Sequence, residues 1–479
     1  MGRPSAAPLA PSLRDALRDI VGPHGVITDA GPLATYEHDG FMVKARPLAV
    51  CLPTTTPQVA SLLRLAAAEG LPVTPRGAGT GLSGGATSVG GGLVIGTSRM
   101  NRILHLDPQN QRATVQPGVV NADLSRAAEP YGLAYAPDPS SQTVSTIGGN
   151  VAENAGGPHC LAYGVTTNHV LSLEAVTAAG EVVTLGGPPD AVDAPGLDLT
   201  GLVTGSEGNL AFVTRATVRL RRRMEAVSTL LALFDSVAAA GLATSAVIAA
   251  GILPAALEFV DATTISALRQ GGFSDYPAGA AAVLLIELEG LAEQTAEETA
   301  RVQDVLLAHG ATEVRAATAA AERARLWAGR KGALGAFGRL APNYYIQDGV
   351  VPRSRLVEVL IKVQAIARRE SLLIANVFHA GDGNLHPTIL YDARTPGLTE
   401  RVVEAGAEIL RCCIDAGGTL SGEHGVGLEK QAYLDWVFAP VDRAAQQAVK
   451  RAWDPALRLN PGKPFSGPLA DSRPLVHRP

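Results

Sequence analysis

Apolar and polar positions change period repeatedly along this chain, and the changes mark short alternating strands and helices. Residues 1–46 read as an N-terminal segment with one short helix, Ser12–Ile20, and polar connections. The run Pro47–Leu52 is strand-like. After it, Val59, Leu62, Leu63, Ala66 and Ala67 recur at helical spacing, with Thr56 as the expected cap, Pro57 in the first turn and Gly70 just past the end. Strands are expected at Leu71–Thr74, Leu93–Ile95, Ile103–Leu106, Ala113–Gln116, Val170–Val176, Glu181–Leu185 and Ala211–Leu220, with a helix at Asn121–Glu129. A basic cluster at Arg219 and Arg221–Arg223 marks the expected domain boundary. Beyond it come strands at Thr229–Phe234, Ala282–Leu288, Leu372–Phe378 and Leu385–Leu390, and helices near 292–308, 353–369 and 399–415.

Length changes the picture first. A single core rarely grows past roughly 250–300 residues, so 479 residues imply two domains. The expected organisation is an N-terminal segment 1–46, a first domain 47–223, a second domain 224–465 and a tail 466–479. A net charge of -5 argues against nucleic acid, which needs a basic face. The four cysteines, Cys51, Cys160, Cys412 and Cys413, form no CxxC pair, so no iron–sulfur or zinc-ribbon site is expected. The N-terminus has no apolar signal region and no stretch is long enough to span a bilayer. A cytoplasmic protein is expected, with any membrane contact peripheral and through a partner.

Two glycine-rich loops carry the first chemistry. PRGAGTGLSGG (75–85) follows a strand, and its glycines let backbone N–H groups turn toward an anion such as a pyrophosphate. It contains Gly79-x-Gly81-x-x-Gly84, a formal dinucleotide fingerprint. No helix opens after it and no acidic residue lies near position 100, so a nicotinamide-binding dehydrogenase rests on this motif alone. The second loop, PDPSSQTVSTIGGNVAENAGG (137–157), offers hydroxyls, amides and two glycine pairs, a surface suited to a long polar cofactor.

A second constellation lies in the C-terminal half. HAGDGNLH (379–386) centres on Asp382-Gly383, a two-residue hairpin signal. In that register His379 opposes His386, with Cβ atoms roughly 4.5–5.5 Å apart. SGEHGVG downstream supplies Glu423 and His424. Two histidines and one carboxylate with an open position form a catalytic metal pattern.

The order PRGAGTGLSGG, PDPSS, TIGGNVAENAGG, TGSEGNL resembles the FAD-binding domain of the vanillyl-alcohol oxidase (PCMH-type FAD) superfamily, and the remainder resembles its FAD-linked oxidase C-terminal domain. The resemblance runs from about Pro47 to Lys463 and is strongest to the branch of glycolate oxidase flavin subunits, D-lactate dehydrogenases and D-2-hydroxyglutarate dehydrogenases. It implies an α+β protein: an FAD-binding domain of two α/β subdomains, then a substrate domain with an antiparallel sheet. It implies that Arg76, Gly77, Ala78, Gly79, Thr80, Gly81 and Ser83 hold the FAD pyrophosphate. Pro137, Asp138, Ile147, Gly148, Gly149, Asn150, Asn154, Gly156 and Gly157 would line the flavin, with Glu207, Gly208 and Asn460 in further family motifs. No histidine lies between Pro75 and Gly92, so non-covalent FAD is expected. By the same resemblance His379, His386 and Glu423 bind a divalent metal, commonly zinc, His424 is the base, and Arg330 of WAGRKGALGAFGR pairs with the substrate carboxylate.

The implied reaction is metal-assisted hydride transfer from a short D-2-hydroxy acid to flavin. The D-2-hydroxyglutarate branch has a lysine where this chain has Ile346, which favours a substrate with one charged end, such as glycolate or D-lactate. Electrons would pass to a quinone, a cytochrome or an iron–sulfur partner subunit, in a hetero-complex or homodimer. The alternatives are a D-2-hydroxyglutarate dehydrogenase and a non-catalytic flavin subunit of a glycolate oxidase complex.

Overall fold

The computed structural model describes residues 9–188 and 195–465, so the expected tail and the first eight residues of the N-terminal segment lie outside the described residues. The chain packs as two units. One comprises the residues up to Gly156, Val165–Arg223 and the residues from Glu423 onward; the other comprises Gly157–Gly164 and Met224–Gly422. The expected 224–465 segment therefore divides at Gly422.

In the first unit, Ala49–Cys51, Leu93–Gly96 and Val73–Arg76 form a parallel sheet, with Val26–Ile27 added antiparallel at one edge. The apolar face of the helix Thr56–Ala68 (Val59, Leu62, Leu63, Ala66) packs into the same core as Ala49, Leu93 and Ile95. This helix begins one residue earlier than expected. Thr55 is the N-cap and accepts from Gln58 N, while Thr56 Oγ1 donates to Glu174 Oε1 at 2.6 Å. Either hydroxyl of the Thr55–Thr56 pair could cap by local chemistry, and the tertiary partner of Thr56 decides. A second, antiparallel sheet has the order Ile103–Asp107, Arg112–Val115, Ala211–Arg219, Val170–Thr177, Val182–Leu185.

The second unit is built on an antiparallel sheet of nine strands. Its centre runs Ala311–Ala317, Ala226–Phe234, Ala282–Gly290, Ala256–Asp261, Leu373–His379. The helix Ala320–Phe337, absent from the sequence expectations, lays Leu326, Trp327, Ala333 and Phe337 on one face of this sheet. Side chains alternate across a strand, so one face carries Leu231 and Leu233, Val283 and Leu285, Val260, and Ala375 and Val377. Continuing the same rows toward one end of the sheet brings Thr229, Glu287, Glu258 and His379 onto that face. The core face thus turns polar at one end, and the candidate chemistry sits there. No helix among the described residues is long and apolar enough to cross a membrane.

Candidate active site

In the first unit, the strand Val73–Arg76 delivers Arg76 to the start of the first glycine loop. Arg76 is buried, its guanidinium lies over the Tyr36 ring at 5.4 Å from the centroid, and burial lowers its pKa. Asp39, which the sequence reading passed over, ties the loop down. Its Oδ1 accepts from Phe41 N and its Oδ2 from Ala86 N, and the following Gly40 N donates to Gly81 O at 2.7 Å. Gly77 lies so close to the second loop that a Cβ there would sit 2.6 Å from Thr146 Oγ1. The two glycine loops are therefore neighbours, as one cofactor spanning both requires.

The second loop is not irregular throughout. Ile147–Glu153 is a short helix, with Thr146 Oγ1 accepting from Gly149 N and Asn154 left-handed at its end. Asn154 Oδ1 accepts from Thr167 N, and Asn121 Nδ2 donates to Pro137 O, so both ends of the loop are pinned. Ser83 Oγ and Asn150 Nδ2 are buried with no hydrogen-bond partner among the described residues. A buried amide donor and a hydroxyl left unsatisfied cost about 1–3 kcal/mol each, and a polar cofactor relieves that. These loops fit FAD. Gly157 opens the excursion Gly157–Gly164, whose His159 Nε2 meets Glu287 Oε1 at 3.0 Å and whose Tyr163 donates to Glu289.

Glu207 and Asn460 commit their side chains to backbone. Glu207 accepts from Val426 N (2.7 Å) and Gly427 N (2.8 Å), which fixes the loop immediately after His424. Asn460 Nδ2 donates to Gly85 O and to Glu207 O. Lys463 is fully buried, donates to Thr87 O, and is pushed down to about 8 by burial. Glu153 belongs to the same cluster. Burial first, then the charges of Glu207 and Asp39, raise its carboxyl well above the usual range. A carboxyl held protonated in the fold releases its proton on unfolding, so its contribution to stability falls as pH rises from its ordinary value through its folded one. Glu153→Gln should therefore gain melting temperature over the unsubstituted chain as pH rises from about 5 to 8. Melting curves across that range check this, and a pH-independent offset would refute it.

In the second unit, His379 ends the strand Leu373–His379 and His386 follows the two-residue strand Asn384–Leu385. Their rings are 5.1 Å apart, edge to face. The expected register is corrected. His379 pairs with Asn384, not His386, and the loop is Ala380–Gly383 rather than a two-residue turn. Contacts outside the hairpin decide this: Gly381 N donates to Leu257 O, and Val351 N donates to Gly383 O. Gly383 has φ +80, and a Cβ there would strike Val351 O at 2.1 Å. The imidazoles still meet, because diagonal neighbours in a hairpin lie within reach of large side chains.

Each ring has its Nδ1 turned to a protein acceptor. His379 Nδ1 is 2.7 Å from Glu258 Oε1. His386 Nδ1 is 3.3 Å from Gln347 O and 3.8 Å from Asp348 Oδ1. Nε2 is then the ligand-type nitrogen of each, an arrangement common for metal-binding histidine. Asp348 also accepts from Ser421 Oγ (2.6 Å) and Gly422 N (3.1 Å), the residues directly preceding Glu423. Glu423 and His424 themselves are the first residues of the chain's return to the first unit.

Arg330 is 5% exposed on the helix Ala320–Phe337, and its Nε and one terminal nitrogen each lie 2.6 Å from Glu258 Oε2. One turn earlier, Trp327 Nε1 donates to Glu287 Oε2 at 2.5 Å. Residues three apart share a helix face, so two buried carboxylates on adjacent strands seat this helix. Burial alone would raise the Glu258 carboxyl, but Arg330 and His379 together hold it below the usual range. Glu258 was missed in the sequence; its signal is an acid inside the apolar run AALEFV. Ile346 is buried in the strand Asn343–Ile346, opposite Thr388.

Residues 47–186 match an FAD binding domain, and residues 223–464 match the FAD linked oxidases, C-terminal domain. The chain belongs to the FAD-linked oxidases, as the sequence resemblance implied, and is an FAD-binding oxidoreductase. It is 47% identical to the glycolate oxidase subunit GlcD of Escherichia coli (strain K12), over 94% of this chain and 90% of that protein. Identity to the GlcD subunit of Bacillus subtilis (strain 168) is 40%, over 95% and 97%. Identity to a D-lactate dehydrogenase of Anaerostipes hadrus is 33%, over 89% and 92%. Among solved structures, a substrate-bound p-cresol methylhydroxylase superposes with a TM-score of 0.81 at 18% identity, covering 95% of this chain and 96% of that one. At that identity the likeness concerns the fold, and it agrees with the expected PCMH-type architecture.

Proposed function

We propose that this chain oxidises a short 2-hydroxy acid of the glycolate or D-lactate kind to the 2-oxo acid. Non-covalent FAD would lie along the two glycine loops, and a divalent metal would be held by His379, His386 and Glu423. Zinc suits such a nitrogen and oxygen donor set. The observation that carries this reading is the gathering of His379, His386 and Arg330 at the polar end of one sheet face, with a buried carboxylate behind them. Similarity to the glycolate oxidase subunits and to the D-lactate dehydrogenase supports the substrate class.

When bound, the flavin takes the Cα hydride and the metal acidifies the substrate hydroxyl. His424, as neutral imidazole, accepts the hydroxyl proton. Arg330 gives two nitrogens to Glu258, and its other terminal nitrogen meets the substrate carboxylate as a charge-assisted bond. The substrate thus loses one hydride and one proton, leaving the 2-oxo acid. Ile346 carries no charge for a second carboxylate, which favours glycolate or D-lactate over D-2-hydroxyglutarate. Reduced flavin would be reoxidised through a partner subunit, a quinone or a cytochrome, and the subunit status of the GlcD relatives supports such an assembly.

Anaerobic mixing of the purified yellow protein with glycolate, D-lactate, L-lactate and D-2-hydroxyglutarate tests this. Flavin absorbance should bleach with glycolate or D-lactate, without NAD, and a chelator should stop bleaching while FAD stays bound. Bleaching that is indifferent to chelator would overturn the metal's role, and no bleaching by any of the four acids would overturn the substrate class.

A further inference from the structure

We propose that Glu258 is a positioning residue that couples the metal ligand His379 to the substrate-binding Arg330, holding one with each carboxylate oxygen. The inference rests on the reading of His379 and Arg330 given above. Oε1 takes His379 Nδ1 at 2.7 Å, and Oε2 takes Arg330 Nε and a terminal nitrogen, each at 2.6 Å. Glu258 is 0% exposed and sits in the strand Ala256–Asp261, directly paired with His379 on the next strand. The carboxylate thus lies between the paired strand that carries His379 and the helix Ala320–Phe337 that carries Arg330.

Ionised carboxylate only accepts hydrogen bonds. His379 therefore carries its proton on Nδ1, which directs the Nε2 lone pair away from Glu258. A partner of this kind orients the ring and raises the basicity of the ligating nitrogen. The same carboxylate clamps one edge of the Arg330 fork, which aims the remaining nitrogen. A displacement of the carboxylate thus moves both groups together. Asp348 stands behind the second histidine more loosely: Oδ1 is 3.8 Å from His386 Nδ1, and Oδ2 serves Ser421 and Gly422.

Stability alone does not account for Glu258. On this face Glu258 sits at a border, beside Leu285 and Val260 of the apolar rows and next to His379 of the polar end. Replacing a buried ion pair by packed apolar groups is often neutral or stabilising, so a charge kept in such a row marks positioning rather than strength. Glutamine separates the two roles. It is isosteric, but its amide nitrogen must face either Arg330, a donor with no acceptor to offer, or His379 Nδ1, which could then accept only by moving its proton to the ligand-type Nε2.

The test uses the full-length flavoprotein, unsubstituted and as Glu258→Gln, Glu258→Asp and His379→Ala. Each is stripped of metal and titrated with zinc against a chromogenic chelator. FAD content and steady-state constants with glycolate and D-lactate are then measured at saturating zinc. Glu258→Gln should bind zinc about 10–100-fold more weakly. Its KM should rise on the order of tenfold, the value of one charge-assisted bond, with FAD content unchanged. Glu258→Asp, too short to span both partners, should shift both quantities the same way and serves if the glutamine variant does not fold. Zinc affinity and KM both within about twofold of the unsubstituted chain would overturn the inference, as would a change in one without the other. An unsubstituted chain that binds no zinc, or His379→Ala binding it equally well, would remove the metal reading and this coupling with it. Zinc binding that depends on His379 but not on Glu258 sinks the coupling alone.

Discussion

Replacing His424 by alanine is expected to lower kcat by about 10²–10⁴-fold while FAD remains bound in full. The hydroxyl proton must leave as the Cα hydride departs, and an imidazole near neutrality is the side chain best matched to take it. The loop that follows His424 has backbone anchors of its own. Glu207 holds Val426 N and Gly427 N, and Lys430 Nζ donates to Gly425 O, so the loop keeps its backbone anchors in the variant. Flavin absorbance, the melting curve and single-turnover bleaching with D-lactate separate the chemistry from the fold. A loss of FAD alongside the loss of rate would assign His424 a structural part. Undiminished turnover would mean that another group takes the hydroxyl proton.

The two kinds of site differ in how readable they are from sequence. The glycine loops announce themselves because their chemistry is carried by backbone, and backbone that must turn tightly and approach a ligand demands glycine in runs. Arg76, Ser83 and Asn150 fall inside those runs, so the same signal singles them out as candidates. The helix Ile147–Glu153 was missed because Gly-Gly-Asn is poor helix material; the Thr146 cap and tertiary packing of Ile147 and Val151 override propensity.

The metal-type residues were readable as a motif but not as a geometry. A two-residue turn at Asp382-Gly383 is what local chemistry prefers, yet Leu257 and Val351 capture the loop backbone and shift the pairing by two residues. A shift of two keeps each side chain on its face, which is why His379 and His386 still meet. The supporting acids were unreadable for a different reason. Glu258, in the apolar run AALEFV, and Asp348, between Gln347 and Gly349, each contribute one carboxylate, and nothing local says which distant groups will pair with it. Single long-range contacts of this kind leave no periodic trace.

Arg330→Met is the second large effect expected, and it should act twice. Removing one partner of a buried ion pair typically costs about 3–5 kcal/mol, because the remaining charge is left uncompensated. Here the lower end, about 3 kcal/mol, is expected, since His379 Nδ1 still faces Glu258 Oε1. Turnover should also collapse, because the substrate carboxylate loses its guanidinium partner. The double variant Arg330→Met with Glu258→Met distinguishes these two losses. It removes both charges from a face already lined by Leu285 and Val260, so most of the stability should return. Activity should not return with it, since neither His379 nor the substrate is then held. Thermal melts paired with anaerobic bleaching by D-lactate read both quantities on the same samples. Recovery of turnover in the double variant would mean that the pair only braces the helix Ala320–Phe337 against the sheet, and that the acid is recognised elsewhere.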